Sequence, residues 1–416
     1  MTAPRAAQPA ASGDDVNALL GALAIGLGKC AFPATQSQAM LNQVARAYRH
    51  PVELTVLSTV SLIGDPRTGH LQLQSLDGEY RFDQVAAVQE QLARATAASA
   101  PPGEITEALG EIDRSSAPRR AWVRIAGYGL ATMGFAAALR ISVDVLVIAL
   151  ALGLVVGAVL VLINSQSTSG VLLPIAATFA TALIIGLLTD VTGIADPVRL
   201  AAVPVLFLLP GAAITAAMIE LVSGDMLAGS SRLIFAVMQL AAMGFAFVLA
   251  IDLAGVPSSD LVDLTSQEGP AWLAWIGALM FAAGLAVFGC IPRRLWTGTL
   301  VLAVLAFTVQ QVAATWLAPP LAGGVAAGLA LLGAWLLNDR DGDGPAALVL
   351  FIPAFWLIVP GSLGFTALAG ALAANKSLSS LAPQAIFTFL AMAIGIMLAS
   401  LIWTRWNPYR RRESGT

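Results

Sequence analysis

The sequence predicts a polytopic α-helical membrane protein that carries a small soluble α+β domain before its first membrane span. Only 11% of the 416 residues are charged and 57% are hydrophobic, and the apolar residues form long runs from Trp122 onward. Two of these runs, Val203–Asp225 and Pro353–Asn375, are interrupted near the middle by a Pro-Gly pair. These two runs lie about 150 residues apart, which suggests an internal repeat.

Residues 1–118 are predicted to form a tail and a soluble domain. Residues 1–13 lack a charged-then-apolar signal pattern, so we expect a disordered tail. Residues 14–118 are long enough to hold their own core. The first predicted elements are a helix Val16–Lys29 and a second helix to Arg49, which opens with a capping box at Thr35 and Gln38. Three strands follow, Val52–Ile63, Leu71–Gln74 and Glu79–Phe82, with a hairpin turn at Asp77-Gly78 before the third. The last two elements are a helix that is capped by Asp83 and runs to Ala98, and a helix Glu104–Arg114.

Cys30, His50 and His70 are the soluble-domain residues with potential for nucleophilic chemistry. A thiol beside an imidazole would supply a nucleophile and a base, but no flanking signature accompanies them. The alternative is that Cys30 packs in the core and both histidines lie at the surface. The second cysteine, Cys290, falls in a different region, so neither a disulfide framework nor a metal site is predicted. We expect no cofactor and no enzymatic activity.

Ten apolar spans follow, each near the roughly 20 residues that a helix needs to cross a bilayer. Five lie in residues 119–254 and five in residues 271–404, with an acidic external loop at 255–270 and a basic tail at 405–416. The spans are Trp122–Ile141, Val143–Ile163, Ser169–Thr189, Val198–Val222, Ser230–Ala254, Ala271–Cys290, Leu295–Ala314, Ala318–Leu337, Pro345–Leu372 and Leu381–Thr404.

The basic residues of the loops predict the orientation. With the soluble domain in the cytoplasm, most arginines face inward and only Arg140, Arg199 and Lys376 face outward. The inward set is Arg114, Arg119, Arg120, Arg124, Arg232, Arg293, Arg294, Arg340, Arg405, Arg410, Arg411 and Arg412. We therefore expect both termini in the cytoplasm. The net charge of −3 leaves no basic face for nucleic acid.

The two groups of five spans match each other at an offset of about 150 residues. The offset pairs Trp122 with Trp272, Gly127 with Gly277, Gly134 with Gly284, Pro210-Gly211 with Pro360-Gly361, and Ser230 with Ser380. Because five is an odd number, the second group must enter the membrane from the opposite side, and the groups are predicted to be inverted repeats.

Each Pro-Gly span should be a discontinuous helix, since proline removes a backbone donor and glycine tolerates an unwound hinge. Freed backbone groups in the bilayer must be satisfied by protein or by water in a cavity. Paired broken helices at corresponding positions of two halves are typical of a transporter's binding site.

Several of these features together resemble the threonine/serine exporter family. They are the soluble helix-strand domain, Asp144 early in the second span, the run Leu208–Leu233, the run Cys290–Arg294 and the second Pro-Gly helix. The resemblance extends from about Val16 to Trp403. It implies a prokaryotic inner-membrane protein that exports threonine and serine, driven by protons. Split relatives are linked to dicarboxylate export, so a dicarboxylate such as succinate is the alternative substrate.

The candidate functional residues surround the two breaks. For substrate binding they are Pro210, Gly211, Thr215, Gln239, Pro360, Gly361, Ser362 and Thr366, because half-helix N-termini attract a carboxylate and hydroxyls can bond the substrate. The threonines and serine have an alternative role in bonding their own helix backbone. Gln310 and Gln311 add uncharged polarity, while Gly153-x-x-x-Gly157 and Gly324-x-x-x-Gly328 predict close helix packing.

Charged residues near the membrane suggest coupling and gating. Asp144 and Glu220 are the candidates for proton coupling, since an intramembrane carboxylate is costly, although each alternatively lies at a helix end. Asp225 and Arg232 are predicted to pair across the inner loop as a gate, with a solvated surface pair of little energetic value as the alternative. The second half has Gly370, Asn375 and Ala382 in place of Glu220, Asp225 and Arg232, which concentrates the charge chemistry in the first half. The expected partners are a small-molecule substrate, protons, the lipid bilayer and further copies of the chain.

Overall fold

The computed structural model describes residues 12–163, 169–192, 197–257, 269–340, 347–358 and 382–406. The soluble part contains α1 (Gly13–Lys29), α2 (Ala34–Ala47), β1 (Glu53–Val56), β2 (Val60–Gly64), β3 (Leu71–Ser75), α3 (Phe82–Thr96) and α4 (Pro102–Arg114). The apolar part contains α5 (Ala121–Ala138), α6 (Leu146–Leu162), α7 (Ser169–Thr192), α8 (Pro197–Ala202), α9 (Gly211–Val222), α10 (Met226–Leu253), α11 (Ala271–Phe288), α12 (Trp296–Ala313), α13 (Pro319–Arg340), α14 (Ala347–Ile358) and α15 (Ala382–Trp406). Short 3-10 turns occupy Val143–Val145, Leu206–Leu208 and Arg293–Leu295.

The soluble domain packs helices against a three-stranded antiparallel sheet of order β1-β2-β3. Leu20, Leu23 and Ile105 on the helices and Ile63 on the sheet are buried in its core. The strand predicted over 52–63 is two strands, because the chain turns after β1 and the N–H of Leu57 bonds the carbonyl of Val60 at 2.8 Å.

The strand predicted over 79–82 is also wrong. Helix α3 begins at Phe82, and its N-cap is Arg81 rather than Asp83. The Gln84 side chain accepts a hydrogen bond from the Arg81 N–H at 3.2 Å, so the third helical residue satisfies a donor that precedes the helix. Because a helix follows β3 in place of the predicted strand, β3 pairs only with β2 in this sheet and forms one of its edges.

Seven of the described helices are long and apolar enough to cross a bilayer, and two shorter apolar helical segments, Leu206–Val222 and Ala347–Ile358, accompany them. These properties make the chain a multi-pass helical membrane protein. The bounds of most helices agree with the predicted spans to within a few residues.

The fourth predicted span is broken at Pro210-Gly211, as the sequence indicated. After α8 the chain turns, forms the 3-10 turn Leu206–Leu208, becomes extended at Leu209 (φ −71°, ψ 133°) and resumes as α9. The second Pro-Gly pair and the candidates Ser362 and Thr366 lie in 359–381, outside the described residues.

The first helices of the two halves have matching local structures. α5 and α11 begin and end 150 residues apart, and the 3-10 turns that follow them keep the same offset. Both helices are followed by a residue in the left-handed region, Arg140 with φ 58° and Cys290 with φ 61°. In these first elements of the two halves, the sequence offset of about 150 is thus also an offset of secondary structure.

Glycines bring α5 and α11 into backbone contact. A Cβ on Gly284 would lie 2.6 Å from the carbonyl oxygen of Gly127, and a Cβ on Gly134 would lie 2.7 Å from that of Gly277. Because Gly127 faces Gly284 while Gly134 faces Gly277, the helices run antiparallel. Small residues permit this close approach of two helices in lipid.

The two predicted small-residue pairs also pack closely. Gly153 and Gly157 lie against Thr132 and Tyr128 of α5, while Gly324 and Gly328 of α13 lie against α15 at Ala391 and Gly395. The close-packing role predicted for these glycines is confirmed.

We expect Gly284→Ala to lower the stability of the protein by about 1–3 kcal/mol, because the added methyl group meets backbone that a side-chain rotation cannot clear. Gly103→Ala on α4 is the control, since a Cβ there meets nothing within 4 Å. The thermal unfolding midpoint of detergent-purified protein measures the difference. A Gly284→Ala midpoint equal to that of wild type would contradict the packing described here.

Candidate functional site

The unwound segment between α8 and α9 has its carbonyls bonded by side chains of other helices. The hydroxyl of Tyr128 donates to the carbonyl of Pro204 at 2.7 Å, and the amide nitrogen of Gln239 donates to the carbonyl of Leu208 at 3.0 Å. Tyr128 is completely buried. Protein groups therefore replace the backbone partners that the break removes, as the bilayer environment requires.

An aromatic cluster joins this segment to the second half of the chain. The Phe207 ring lies 5.1 Å from Tyr128, 5.8 Å from Phe281, 6.0 Å from Phe288 and 5.2 Å from Trp356, measured between ring centroids. Trp356 lies near the end of the described part of α14, four residues before Pro360. The chain segments that lead into the two Pro-Gly pairs are therefore in contact.

A glutamine also bonds the backbone ahead of the second Pro-Gly pair. The amide nitrogen of Gln310 on α12 donates to the carbonyl of Ile358 at 3.1 Å. Ile358 lies two residues before Pro360, and Leu208 lies two residues before Pro210. The same backbone position in each half thus has an amide donor.

Thr215 makes the local bond that was its alternative role. Its hydroxyl is buried and donates to the carbonyl of Gly211, one turn earlier in α9, at 3.0 Å. The threonine therefore satisfies a carbonyl at the start of the half-helix, and a role in substrate binding stays a prediction.

Glu220 connects the membrane part to the soluble domain. It is fully buried near the end of α9, and its two oxygens accept hydrogen bonds from Arg232 at 3.1 Å each. One oxygen also accepts from the backbone N–H of Ala34, the first residue of α2, at 2.9 Å. A carboxylate at a helix N-terminus satisfies a free donor and is favoured by the helix dipole.

Two sequence predictions are corrected by these contacts. The capping box at Thr35 is absent, because α2 starts at Ala34 after Pro33 and takes its cap from Glu220 instead. The predicted Asp225–Arg232 pair is also wrong, since Arg232 pairs with Glu220 while Asp225 caps its own helix by accepting from the N–H of Ala228 at 3.1 Å. A gating role for Asp225 and Arg232 stays a prediction.

Asp144 occupies a different environment from Glu220. It lies in the 3-10 turn Val143–Val145 ahead of α6, and its side chain is exposed. Among the carboxylates of the membrane part whose burial the structure describes, Glu220 alone is buried. The structure therefore places both carboxylates near helix ends, as the alternative predicted, with Asp144 exposed and Glu220 buried.

Three further contacts join the soluble domain to the membrane helices. The Phe82 N–H donates to the carbonyl of Gly289 at 3.0 Å, and its ring lies 6.1 Å from that of Trp356. The hydroxyls of Ser58 and Ser231 are 2.9 Å apart. Phe82 thus touches the same tryptophan that touches the broken segment through Phe207.

The predicted alternative of a cysteine–histidine pair in the soluble domain is not formed. Cys30 is buried, and burial raises the pKa of its thiol far above the usual range, which keeps it protonated. His50 is buried and bonds Asn17 at 2.8 Å and Arg67 at 3.1 Å, and burial together with the Arg67 charge lowers its pKa. His70 is exposed. The described residues contain no cluster of three or more histidine, cysteine or acidic side chains that could hold a metal.

Sequence reasoning missed Tyr128, Phe207, Trp356 and Phe82. A tyrosine in an apolar span is a detectable signal, because a buried hydroxyl needs a partner. The contacts of the three other aromatic residues cannot be predicted in this way, since aromatic residues are common in membrane helices and in the cores of soluble domains.

Comparison with known families agrees with this architecture. Residues 19–254, which include most of the soluble domain and the helices through α10, match the ThrE family, described as "Putative threonine/serine exporter". Neither a search of curated proteins nor a search of solved structures finds a match. Since the match covers more than half of the 416 residues, the chain belongs to the threonine/serine exporter family, a family of membrane transporters.

Proposed function

We propose that the protein is a secondary active exporter of threonine and serine that works by alternating access. The observation that carries this proposal is the interrupted span at Pro210-Gly211, whose carbonyls are held by Tyr128 and Gln239 and which contacts the segment preceding Pro360. Discontinuous helices that meet from two halves provide backbone groups for a polar substrate within the bilayer. Family membership supports the substrate class.

The two halves form inverted repeats of five spans each. Support comes from the antiparallel crossing of α5 and α11, in which Gly127 faces Gly284 and Gly134 faces Gly277. Under the offset of 150 residues these two contacts exchange, as a two-fold axis in the membrane plane requires. Such symmetry allows the halves to interchange their conformations, which opens the site to each side in turn.

Glu220 couples transport to proton entry in this proposal. As a carboxylate it holds both Arg232 and the N-terminus of α2. Protonation removes the negative charge, so both contacts weaken and the soluble domain binds α9 less tightly. Asp144 is the less favoured candidate because it is exposed.

The soluble domain serves as the inner gate, and the ion pair of Arg232 with Glu220 helps to hold it against the membrane helices. It lies on the side of the membrane part where α5 begins and α11 ends, and Phe82 packs there against Trp356. The excess of loop arginines on the same side supports a cytoplasmic location for this domain in a prokaryotic inner membrane. Substrate would enter when the domain separates from the helices.

Purified protein in liposomes should transport labelled threonine and serine faster when protons are concentrated on the side opposite the substrate. Glu220→Gln should lose this stimulation but keep counterflow, because exchange of substrate for substrate needs no net proton movement. Glu107→Gln on the exposed face of α4 is the matched control. Transport of succinate but not of threonine would favour the dicarboxylate alternative, and gradient-stimulated transport by Glu220→Gln would contradict the role of Glu220.

Cysteines at Ser58 and Ser231 should form a disulfide and stop transport until a reductant is added, because the bond prevents the soluble domain from separating. The close approach of the two hydroxyls makes this pair suitable for cross-linking. Each single cysteine variant, treated with the same oxidant, is the control. Undiminished transport by the cross-linked protein would show that the domain stays docked throughout the cycle.

A further inference from the structure

The 3-10 turns that follow α5 and α11 share one backbone form but carry opposite charges. The turns, Val143–Val145 and Arg293–Leu295, lie 150 residues apart, and each is closed by the same backbone hydrogen bond, at 3.3 Å and 2.9 Å respectively. The last residue of each turn is apolar and buried. The first two residues of each turn are exposed, and they are Val143-Asp144 in one copy and Arg293-Arg294 in the other.

The exposed charges are not needed to form the turn. One copy has a single negative charge and the other has two positive charges, yet the backbone form is the same. Within the part of the chain that the structure describes, neither Arg293 nor Arg294 forms an ion pair with a carboxylate. Since both residues are exposed, their guanidinium groups are available to a partner outside the protein.

The two arginines lie between successive crossings of the bilayer. α11 is an apolar span of 18 residues that ends at Phe288, and the next apolar span, of 21 residues, begins at Arg293. A residue between two such spans lies at the level of the lipid headgroups. The soluble domain docks at the same end of α11, because the Phe82 N–H bonds the carbonyl of Gly289 at 3.0 Å. The arginines therefore lie at the leaflet on the side of the soluble domain.

The matching turn of the first half lies at the opposite membrane surface. α5 and α11 run antiparallel, so the turns that follow them are at opposite ends of the helix pair. The positive charge is thus found at one surface and is not a property that both copies of the turn share. This difference indicates a partner on the side of the soluble domain.

Neighbouring residues fix the backbone of the arginine-bearing turn. Ile291, which precedes the turn, is fully buried, and its carbonyl accepts hydrogen bonds from the indole N–H of Trp296 and from the guanidinium of Arg119, both at 3.0 Å. The Arg119 guanidinium also lies over the Trp296 ring, 5.2 Å from its centroid. A backbone that is already ordered lowers the entropy cost of binding a ligand through its side chains.

The chemistry of the two side chains identifies the kind of partner. An arginine presents parallel N–H donors that form charge-assisted bonds to phosphate oxygens. Anionic phospholipids give a leaflet a negative surface potential that attracts arginines near it, whereas a zwitterionic phospholipid has no net charge. Because the arginines lie at headgroup level, the partner of complementary charge is an anionic phospholipid.

We propose that Arg293 and Arg294 form a binding surface for the headgroups of anionic phospholipids such as phosphatidylglycerol. The surface holds the connection between α11 and α12 at the leaflet where the soluble domain docks. This proposal requires only that the chain spans the bilayer, so it does not depend on the transport function inferred above.

Titration of the detergent-purified full-length protein with phosphatidylglycerol, or with phosphatidylcholine of the same acyl chains, tests the proposal. Native mass spectrometry gives the dissociation constant of the first bound lipid. The wild-type protein should bind phosphatidylglycerol more tightly than phosphatidylcholine. The double variant Arg293→Gln/Arg294→Gln should lose affinity for phosphatidylglycerol by about fivefold for each arginine, with its affinity for phosphatidylcholine unchanged.

Two variants separate the charge from other effects of substitution. Arg293→Lys/Arg294→Lys keeps both charges and should retain most of the affinity for phosphatidylglycerol. Arg46→Gln, at an exposed position of α2 in the soluble domain, should leave that affinity unchanged. Thermal unfolding in phosphatidylcholine shows whether each variant has folded, and the single glutamine variants replace the double variant if it has not.

Equal affinity of the wild-type protein for the two lipids would overturn the proposal, as would unchanged affinity in the folded glutamine variants or an equal loss in the lysine variant. Glycerol 3-phosphate, which has a phosphate but no acyl chains, should not displace phosphatidylglycerol at equal concentration. Displacement would show a site for soluble phosphates and would also overturn the proposal.

Discussion

Backbone groups inside a bilayer must have hydrogen-bond partners, and this constraint governs the structure around Pro210. A helix meets the requirement by itself, whereas an interrupted helix needs donors from its neighbours. Tyr128 and Gln239 supply them for the carbonyls of Pro204 and Leu208. The positions of α5 and α10 are therefore tied to the break, because each must bring one polar side chain to it.

The contact between α5 and α11 is reciprocal, but the buried charges are found in only one half of the sequence. Reciprocal glycine contacts join α5 to α11. In contrast, the buried ion pair of Glu220 with Arg232 belongs to the first half alone, and the corresponding positions of the second half are Gly370 and Ala382. The soluble domain docks on this pair through Ala34. The buried ion pair, and the contact that it makes with the soluble domain, therefore belong to the first half of the chain.

The features that sequence predicted well depend on local composition. Apolar runs predicted the long helices, the Pro-Gly pair predicted the break in the fourth span, and spaced glycines predicted close helix packing. Each of these properties is decided by residues that are neighbours in the chain. The offset of about 150 residues likewise needed only a comparison of the sequence with itself.

The features that sequence missed depend on partners that are distant in the chain. The cap of α2 comes from Glu220, 186 residues from Ala34, and it displaces the local capping box expected at Thr35. Arg232 is closer in sequence to Asp225 than to Glu220, yet the Asp225 side chain is used by its own helix. The predicted strand near Glu79 failed because the turn at Asp77-Gly78 leads into a helix instead.

The central claim is that the break at Pro210-Gly211 lines a site that opens to each side of the membrane in turn. The most direct measurement is the labelling of a single cysteine at Ala213, two residues after the start of α9, in a protein whose Cys30 and Cys290 have been replaced by alanine. A membrane-impermeant maleimide applied to oriented vesicles should reach this cysteine from either side, with the accessible side changing as substrate and the proton gradient are varied. Labelling from neither side, or from the same side under every condition, would contradict the claim.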